Sequence, residues 1–156
     1  MRVTICAVGR LRKGPESELV SDYLTRFDRA GRRLGLGPAR VSEVEARGGG
    51  GPQVEAQALR RAIPENSTLC ALDERGDVLS SPKFARRLGD LRDDGTRDVA
   101  FLIGGADGID PGLLAQANLS ISFGKMVWPH MLARVMLCEQ LYRAASILAG
   151  APYHRA

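Results

Sequence analysis

Three short segments of the chain hold residue types that can do chemistry, and the first is rich in glycine. Residues 101–108 read FLIGGADG, so Gly104, Gly105 and Gly108 crowd the end of an apolar run. Because glycine has no Cβ, a flat ligand can lie directly against the backbone at such a strand end. A tight turn that binds nothing explains the same glycines. The segment is therefore a candidate ligand-binding loop with a purely structural alternative.

The second segment, residues 122–130, reads SFGKMVWPH and contains the only Trp of the chain. It ends on Pro129 and His130, where a helix is predicted to start with its backbone N–H groups pointing outward. An apolar loop that returns into a helix can enclose an adenine ring. Trp128 taken alone is more typical of a core anchor.

The third segment is the tail, which reads PYHRA from residue 152 and holds one of the two histidines. Tyr153 can stack on a base, and Arg155 can pair with a phosphate or a carbonyl. His154 can exchange a proton near neutral pH. Chain ends often fray without any function, so an idle terminus is the alternative.

Alternating apolar runs and helical patterns predict the elements that position these segments. Strands are predicted at residues 3–8, 39–44, 67–73, 98–103 and 119–123. Helices are predicted at residues 15–34, 54–63, 81–91, 111–116 and 129–149, and a glycine-rich loop at residues 48–51. Such alternation predicts an α/β fold with a largely parallel sheet flanked by helices. Ligands bind beyond the carboxyl ends of such strands, so the loops after Asp73, Ile103 and Phe123 are expected to line one site.

Size and composition indicate one globular domain spanning residues 1–156. The chain has 156 residues, of which 44% are hydrophobic and 26% charged. Its net charge is +4, and the first forty residues hold nine Arg and Lys against four Asp and Glu. A basic face of this kind attracts polyanions such as nucleic acid. A solvated, arginine-rich helix is the alternative interpretation.

Several classes of protein are disfavoured by the sequence. It contains no P-loop, no G-x-G-x-x-G after a strand and no G-x-S-x-G. The three cysteines are far apart in apolar runs, which predicts buried free thiols in a reducing compartment and no metal site. No apolar stretch reaches about 18 residues, and the start does not have the order of a signal peptide. A cytoplasmic location is therefore predicted.

The last predicted helix is apolar around more than one face. Surface helices normally show a single apolar stripe, so two apolar faces indicate burial on both sides. Either a second copy of the chain covers the additional face, which we favour at this chain length, or one chain covers the helix completely.

Taken together, the motifs resemble those of the ribosomal RNA large subunit methyltransferase H family, which belongs to the SPOUT class. The matching motifs extend from Arg2 to Arg155 and are most specific in the C-terminal half. They are Val-Gly after the first strand, Leu-Asp at 72–73, Ile-Gly-Gly-x-x-Gly at 103–108, Lys-Met-x-x-Pro-His at 125–130, Glu-Gln-Leu-Tyr-Arg-Ala at 139–144 and Pro-Tyr-His-Arg at 152–155. The chain departs from the family at Ala106-Asp107, where Pro-Glu is usual, at Val127, where Thr is usual, and at Trp128, where Phe or a smaller apolar residue is usual.

The resemblance implies an α/β fold with a C-terminal trefoil knot and an obligate homodimer. It implies methyl transfer from S-adenosylmethionine to the N3 atom of a pseudouridine of 23S rRNA in the assembled ribosome. The residues that match the family's cofactor contacts are Leu72, Gly104, Phe123, Gly124, Lys125, Met126, Val127 and Trp128. The residues that match its substrate site are Tyr153, His154 and Arg155 of the tail, which is expected to reach the partner's cofactor site, together with His130 and Arg143.

The chemistry implied by this family is mainly a matter of positioning, because a sulfonium methyl group is already activated. The N3–H group must lose its proton, which His154 or His130 can accept, and a nearby Arg can stabilise the anion. We favour His154 as the base. Two alternatives remain: a SPOUT enzyme for another rRNA or tRNA position, and a non-catalytic RNA-binding assembly factor.

Overall fold

A computed structural model describes residues 1–45 and 51–154 of the chain, and only the backbone of His154. The predicted loop at residues 48–51 lies outside these residues except for Gly51. The strands are β1 (Arg2–Val8), β2 (Ala39–Val44), β3 (Thr68–Val78), β4 (Asp98–Ile103) and β5 (Leu119–Ser122). The α-helices are α1 (Pro15–Gly31), α2 (Pro52–Ala62), α3 (Ser81–Asp93), α4 (Pro111–Leu114) and α5 (His130–Leu148). Short 3₁₀ helices follow at Arg32–Leu34 and Pro152–His154.

All five strands join one parallel sheet in the order β2-β1-β4-β3-β5. Every residue of the central strand β4 is buried, as expected of a parallel strand that is covered on both faces. This architecture confirms the predicted α/β fold with a largely parallel sheet. The C-terminal knot that the family resemblance implies stays a prediction.

Helices cover both faces of the sheet because successive strand residues point to opposite sides. Ile5 and Ala7 of β1 face the core cluster that contains residues of α1, α3 and α5. Cys6 and Val8 face the opposite cluster, which contains residues of α2 and α4. Each strand therefore fixes the position of helices on both sides of the sheet.

The largest departure from the predicted elements is β3, which continues to Val78 rather than ending at Asp73. Leu72 and Asp77 both pair with Ile121 of β5, so the residues between them form a bulge. A Cβ at Gly76 would lie 2.7 Å from the backbone nitrogen of Ile121, so glycine lets the strand return to its partner. The polar residues of this segment hid the second half of the strand, which pairing with β5 stabilises.

Smaller departures occur at helix and strand ends. α1 ends at Gly31 and continues as a 3₁₀ turn, α4 is a single turn, and β5 ends one residue before Phe123. α3 extends two residues beyond the predicted end. The helix starts follow their capping residues: the Ser80 hydroxyl accepts the N–H of Lys83, and the Asp110 carboxylate accepts that of Leu113.

Candidate active site

The carboxyl ends of β3, β4 and β5 open into one cleft of about 650 Å³. The sequence predicted that the segments after these three strands would meet at one site. The structure brings them together, with the bulge of β3 in place of a loop after Asp73. A cleft of this volume is within the usual range of small-molecule sites. Its lining comprises residues 72–75, 103–109, 121–124 and 126–130, together with Ala133.

The glycine segment forms a closed turn on one wall of the cleft. The N–H of Gly108 donates to the carbonyl of Gly105 at 3.2 Å, and these two residues form an isolated bridge. A Cβ at Gly104 would collide with the carbonyl oxygen of Gly108. Gly108 itself has a φ of 79°, a conformation that favours glycine. The tight turn is therefore present, and it exposes its backbone to the cleft, whereas ligand binding by this loop stays a prediction.

The segment between β5 and α5 forms the facing wall and is largely apolar. Met126 is 72% exposed and Val127 is 82% exposed. The hydroxyl of Ser122 lies 3.1 Å from the N–H and 3.0 Å from the carbonyl of Gly124, which anchors the start of the loop. Ser122 was missed by the sequence analysis, although a serine two residues before a glycine at a strand end is a usable signal. An exposed apolar loop beside a cleft is suited to closing over an apolar ligand.

Seven of the eight predicted cofactor residues line this cleft: Leu72, Gly104, Phe123, Gly124, Met126, Val127 and Trp128. Lys125 is exposed and does not line it. His130 also lines the cleft, and its Nε2 would lie 3.4 Å from a Cβ at Gly9. His130 thus packs at the end of β1, which lies next to β4 in the sheet.

Beneath His130, one turn further along α5, lies Arg134, which the sequence analysis missed. Its side chain is fully buried and donates to Glu43 at 2.7 Å and to the carbonyls of Val8 and Gly9 at 3.1 and 3.0 Å. Burial lowers the pKa of Arg134, while the charge of Glu43 opposes that shift. The signal that could have found it is an arginine within the apolar pattern of the last helix.

Tyr153 and Arg143 form a separate cluster around Glu139. The hydroxyl of Tyr153 donates to the Glu139 carboxylate at 3.1 Å, and Arg143 Nε donates to the same oxygen at 2.9 Å. The Arg143 guanidinium lies 5.0 Å from the centre of the Tyr153 ring. Burial, and then the charge of Glu139, raise the pKa of Tyr153 to about 12. Tyr153 is therefore a neutral hydrogen-bond donor at neutral pH.

The cluster does not meet the cleft within one chain. Arg143 follows His130 by thirteen residues of one helix, which at 1.5 Å per residue places their backbones about 20 Å apart. Arg143 and Tyr153 are not among the residues that line the cleft. The His154 side chain and Arg155 lie outside the described residues. Of the predicted substrate residues that the structure describes, His130 lies at the cleft, and Arg143 and Tyr153 lie beside the C-terminal half of α5.

Asp73 and the three cysteines have pKa values that their surroundings shift. Asp73 accepts hydrogen bonds from Arg75 in the bulge, and these lower its pKa although burial opposes the shift. Cys6, Cys70 and Cys138 are buried free thiols, as predicted, and burial raises the pKa of Cys6 to about 11 and those of Cys70 and Cys138 to about 12. Among the described residues, no group of three or more His, Cys, Asp or Glu side chains is placed to hold a metal ion. No helix among these residues is long and apolar enough to cross a membrane.

Comparison with known proteins identifies the class to which this fold and cleft belong. A family model described as "Predicted SPOUT methyltransferase" matches residues 1–154, and the chain belongs to that family. A solved structure titled as a probable methylase family protein from Haemophilus influenzae has a TM-score of 0.53 at 11% identity, which supports the fold alone. That similarity covers 97% of this chain and 69% of the other.

Sequence relatives narrow the class further. Proteins of Roseobacter denitrificans, Ruegeria pomeroyi and Dinoroseobacter shibae are 68%, 67% and 66% identical to the chain over 155 residues. Each alignment covers 99% of both chains, and each relative is named "Ribosomal RNA large subunit methyltransferase H". Within the SPOUT family, the chain belongs with these proteins, which confirms the resemblance inferred from its motifs.

Proposed function

We propose that this protein transfers a methyl group from S-adenosylmethionine to the N3 atom of pseudouridine 1915 of 23S rRNA. It does so in the assembled ribosome, as a cytoplasmic homodimer of single-domain chains of residues 1–156. The observation that carries the proposal is the cleft where three strand ends meet, in a chain whose relatives are named for rRNA methylation. Ribosomal RNA as substrate also agrees with the net charge of +4.

The residues present fit S-adenosylmethionine. The cleft has room for it, the glycine turn presents backbone without a Cβ, and the exposed apolar loop can cover an adenosyl group. The seven lining residues named above would hold it, whereas a contact from Lys125 depends on the loop closing. When bound, the group supplies an activated methyl on sulfur. The chain's own task is then to orient the target base and exclude water.

Proton removal from N3 falls to the histidines. His130 lies at the cleft, whereas His154 belongs to the tail that we expect to contact the pseudouridine. His154 is therefore the preferred proton acceptor, and His130 is the second candidate. Arg155 and Arg143 stabilise the resulting anion, and Tyr153 orients the nucleobase of the pseudouridine. Since Glu139 already pairs with Arg143, that arginine acts from a fixed position.

A second copy of the chain completes this arrangement. Beside the cleft, a groove of about 380 Å³ runs between α1 and α5 and shares Ser122 and Phe123 with the cleft. Its lining includes Leu19 and Val78, which are 43% and 69% exposed. α1 and α3 cover much of α5, but Met131 and Leu132 in its first turn stay exposed. A partner that covers these apolar residues would also bring its own tail to the cleft.

The proposal is tested by methyl transfer from labelled S-adenosylmethionine to ribosomes that carry or lack the target pseudouridine. We expect transfer only to ribosomes that carry it, with N3-methylpseudouridine as the product in mass analysis. Methylation of another nucleotide would indicate a SPOUT enzyme of different specificity. Ribosome binding without donor binding in calorimetry would indicate a non-catalytic assembly factor.

A further inference from the structure

A carboxylate from α2 lies against the glycine turn from outside the cleft. Glu55 Oε2 accepts the backbone N–H of Gly105 at 3.3 Å. A Cβ at Gly105 would lie 2.6 Å from Oε1 and 2.8 Å from Oε2 of the same side chain. The carboxylate therefore occupies the space that a side chain at Gly105 would need, and Gly105 itself lines the cleft.

We propose that Glu55 is a positioning residue that holds the glycine turn in the shape that receives the methyl donor. This inference rests on the proposed function. Glu55 does not line the cleft, so it acts through Gly105 rather than by contact with the donor. The turn is also anchored by β4 on one side and by the Gly105–Gly108 bridge and the buried Ile109 on the other.

The position of Glu55 is fixed by packing. Its neighbour Ala56 and Leu59, one turn further, are 1% exposed and sit in the core cluster on this face of the sheet. Glu55 is itself half-buried and lies in the first turn of α2. An acidic residue there also suits the helix dipole, so a purely local role in α2 is the competing explanation.

The first test compares Glu55→Ala, Glu55→Gln and, as a matched control, Gln57→Ala, an exposed residue of the same helix. Calorimetry with S-adenosylmethionine should show binding by Glu55→Ala weakened roughly five- to tenfold, the effect of losing one hydrogen bond of ordinary net strength. Glu55→Gln keeps an oxygen acceptor and should stay within about twofold of the wild type. Gln57→Ala should match the wild type. Equal affinity in Glu55→Ala and the wild type overturns the inference.

A second test uses the steric relation between Glu55 and Gly105. A methyl group in Gly105→Ala must displace the carboxylate, so this variant should bind the donor about as weakly as Glu55→Ala. Once Glu55 is Ala, nothing remains to be displaced, and the double variant should bind no more weakly than either single one. Additive losses in this double-mutant cycle would show that the two residues act independently.

A third measurement separates this inference from the proposed function. Amide hydrogen exchange at Gly105, measured in the protein without donor, should be faster in Glu55→Ala and unchanged in Gln57→Ala, while thermal unfolding verifies that each variant folds. Unchanged exchange at Gly105 overturns the inference even if the wild type binds the donor. If the wild type binds no donor at all, the proposed function fails, and faster exchange would still support the tether.

Discussion

At the scale of single residues, some side chains fix the geometry of the site, and others are the candidates for contact with the substrate. Arg134 and Glu43 join the start of α5 to the ends of β1 and β2, and His130 sits one helical turn away at the cleft. Tyr153 is held by Glu139 in the middle of the same helix. The positions of the two candidate substrate-binding residues, His130 and Tyr153, are therefore fixed by the buried Arg134 and the half-buried Glu139.

Replacement of Arg134 should destabilise the fold strongly. Arg134→Ala leaves the carbonyls of Val8 and Gly9 without their donor, and each buried acceptor left unpaired costs about 1–3 kcal/mol. Glu43 also loses its partner, but its carboxylate is partly exposed and water can solvate it. Arg134→Met, which keeps the volume, should cost less than Arg134→Ala. Urea denaturation of both variants measures the free energies of unfolding. A loss below about 1 kcal/mol for Arg134→Ala would contradict a structural role for this guanidinium.

The raised pKa of Tyr153 predicts a pH dependence of stability. The pKa is about 12 in the fold and about 10 in the unfolded chain, so the unfolded state loses its proton first. This contribution is complete below about pH 10 and is lost as the pH rises toward 12. The stability difference between the wild type and Tyr153→Phe should therefore be larger near pH 9 than near pH 11 in denaturant titrations. A difference that does not change with pH would count against the Glu139 contact.

At the scale of elements, the loop between β1 and α1 carries charge at the carboxyl edge of the sheet. The backbone N–H of Leu11 donates to Glu43 at 2.9 Å, which anchors the loop, and Arg12 and Lys13 are exposed. β1 lies next to β4, so this loop neighbours the glycine turn. Two cations at this edge are well placed to meet the phosphates of a bound RNA.

Removal of one of these cations should weaken RNA binding in a salt-dependent manner. For Arg12→Ala, the slope of log affinity for ribosomes against log salt should fall in magnitude by about 0.7–0.9, one phosphate contact. Arg97→Ala is the control, because it removes the same charge from an exposed position at the amino edge of the sheet. Equal slopes for the two variants would assign the effect to net charge rather than to the loop.

The elements themselves were largely predictable from sequence, because buried parallel strands read as short apolar runs between helical patterns. The second half of β3 was not predictable, because its residues are polar and form a strand by pairing with β5. That pairing requires glycine at position 76, where a Cβ would collide with the backbone of β5. The cleft followed from the strand ends. The separation of Arg143 from His130 follows from the helix predicted at residues 129–149, but the position of Tyr153 did not follow from sequence, because it depends on the tail packing back on α5 through Tyr142 and Glu139.

At the scale of the whole molecule, one chain has a cleft at the start of α5 and a tail cluster beside the C-terminal half of that helix. An exposed groove lies beside the cleft, and in the proposed homodimer the second copy would cover it. If each site combines the cleft of one chain with the tail of the other, a defect in either part can be compensated between chains.

Mixed dimers test this composite site. Gly104→Val should block the cleft, and His154→Ala should remove the base while leaving donor affinity nearly intact, so each homodimer should be inactive. After equal mixing and exchange, half of the dimers are mixed, and each contains one site with both parts intact. Methyl transfer should then recover to roughly a quarter of the wild-type rate. A mixture as inactive as its components would place cleft and tail of the same chain in one site.

The three buried thiols have a practical consequence. Cys6, Cys70 and Cys138 are at most 1% exposed, and burial raises their pKa values, so thiol reagents can reach them only when the core opens. A cysteine introduced at an exposed position such as Gln57 would react alone, which permits a single fluorophore without replacement of the native residues. Conversely, the slow modification of the unaltered chain would report how often its interior is exposed.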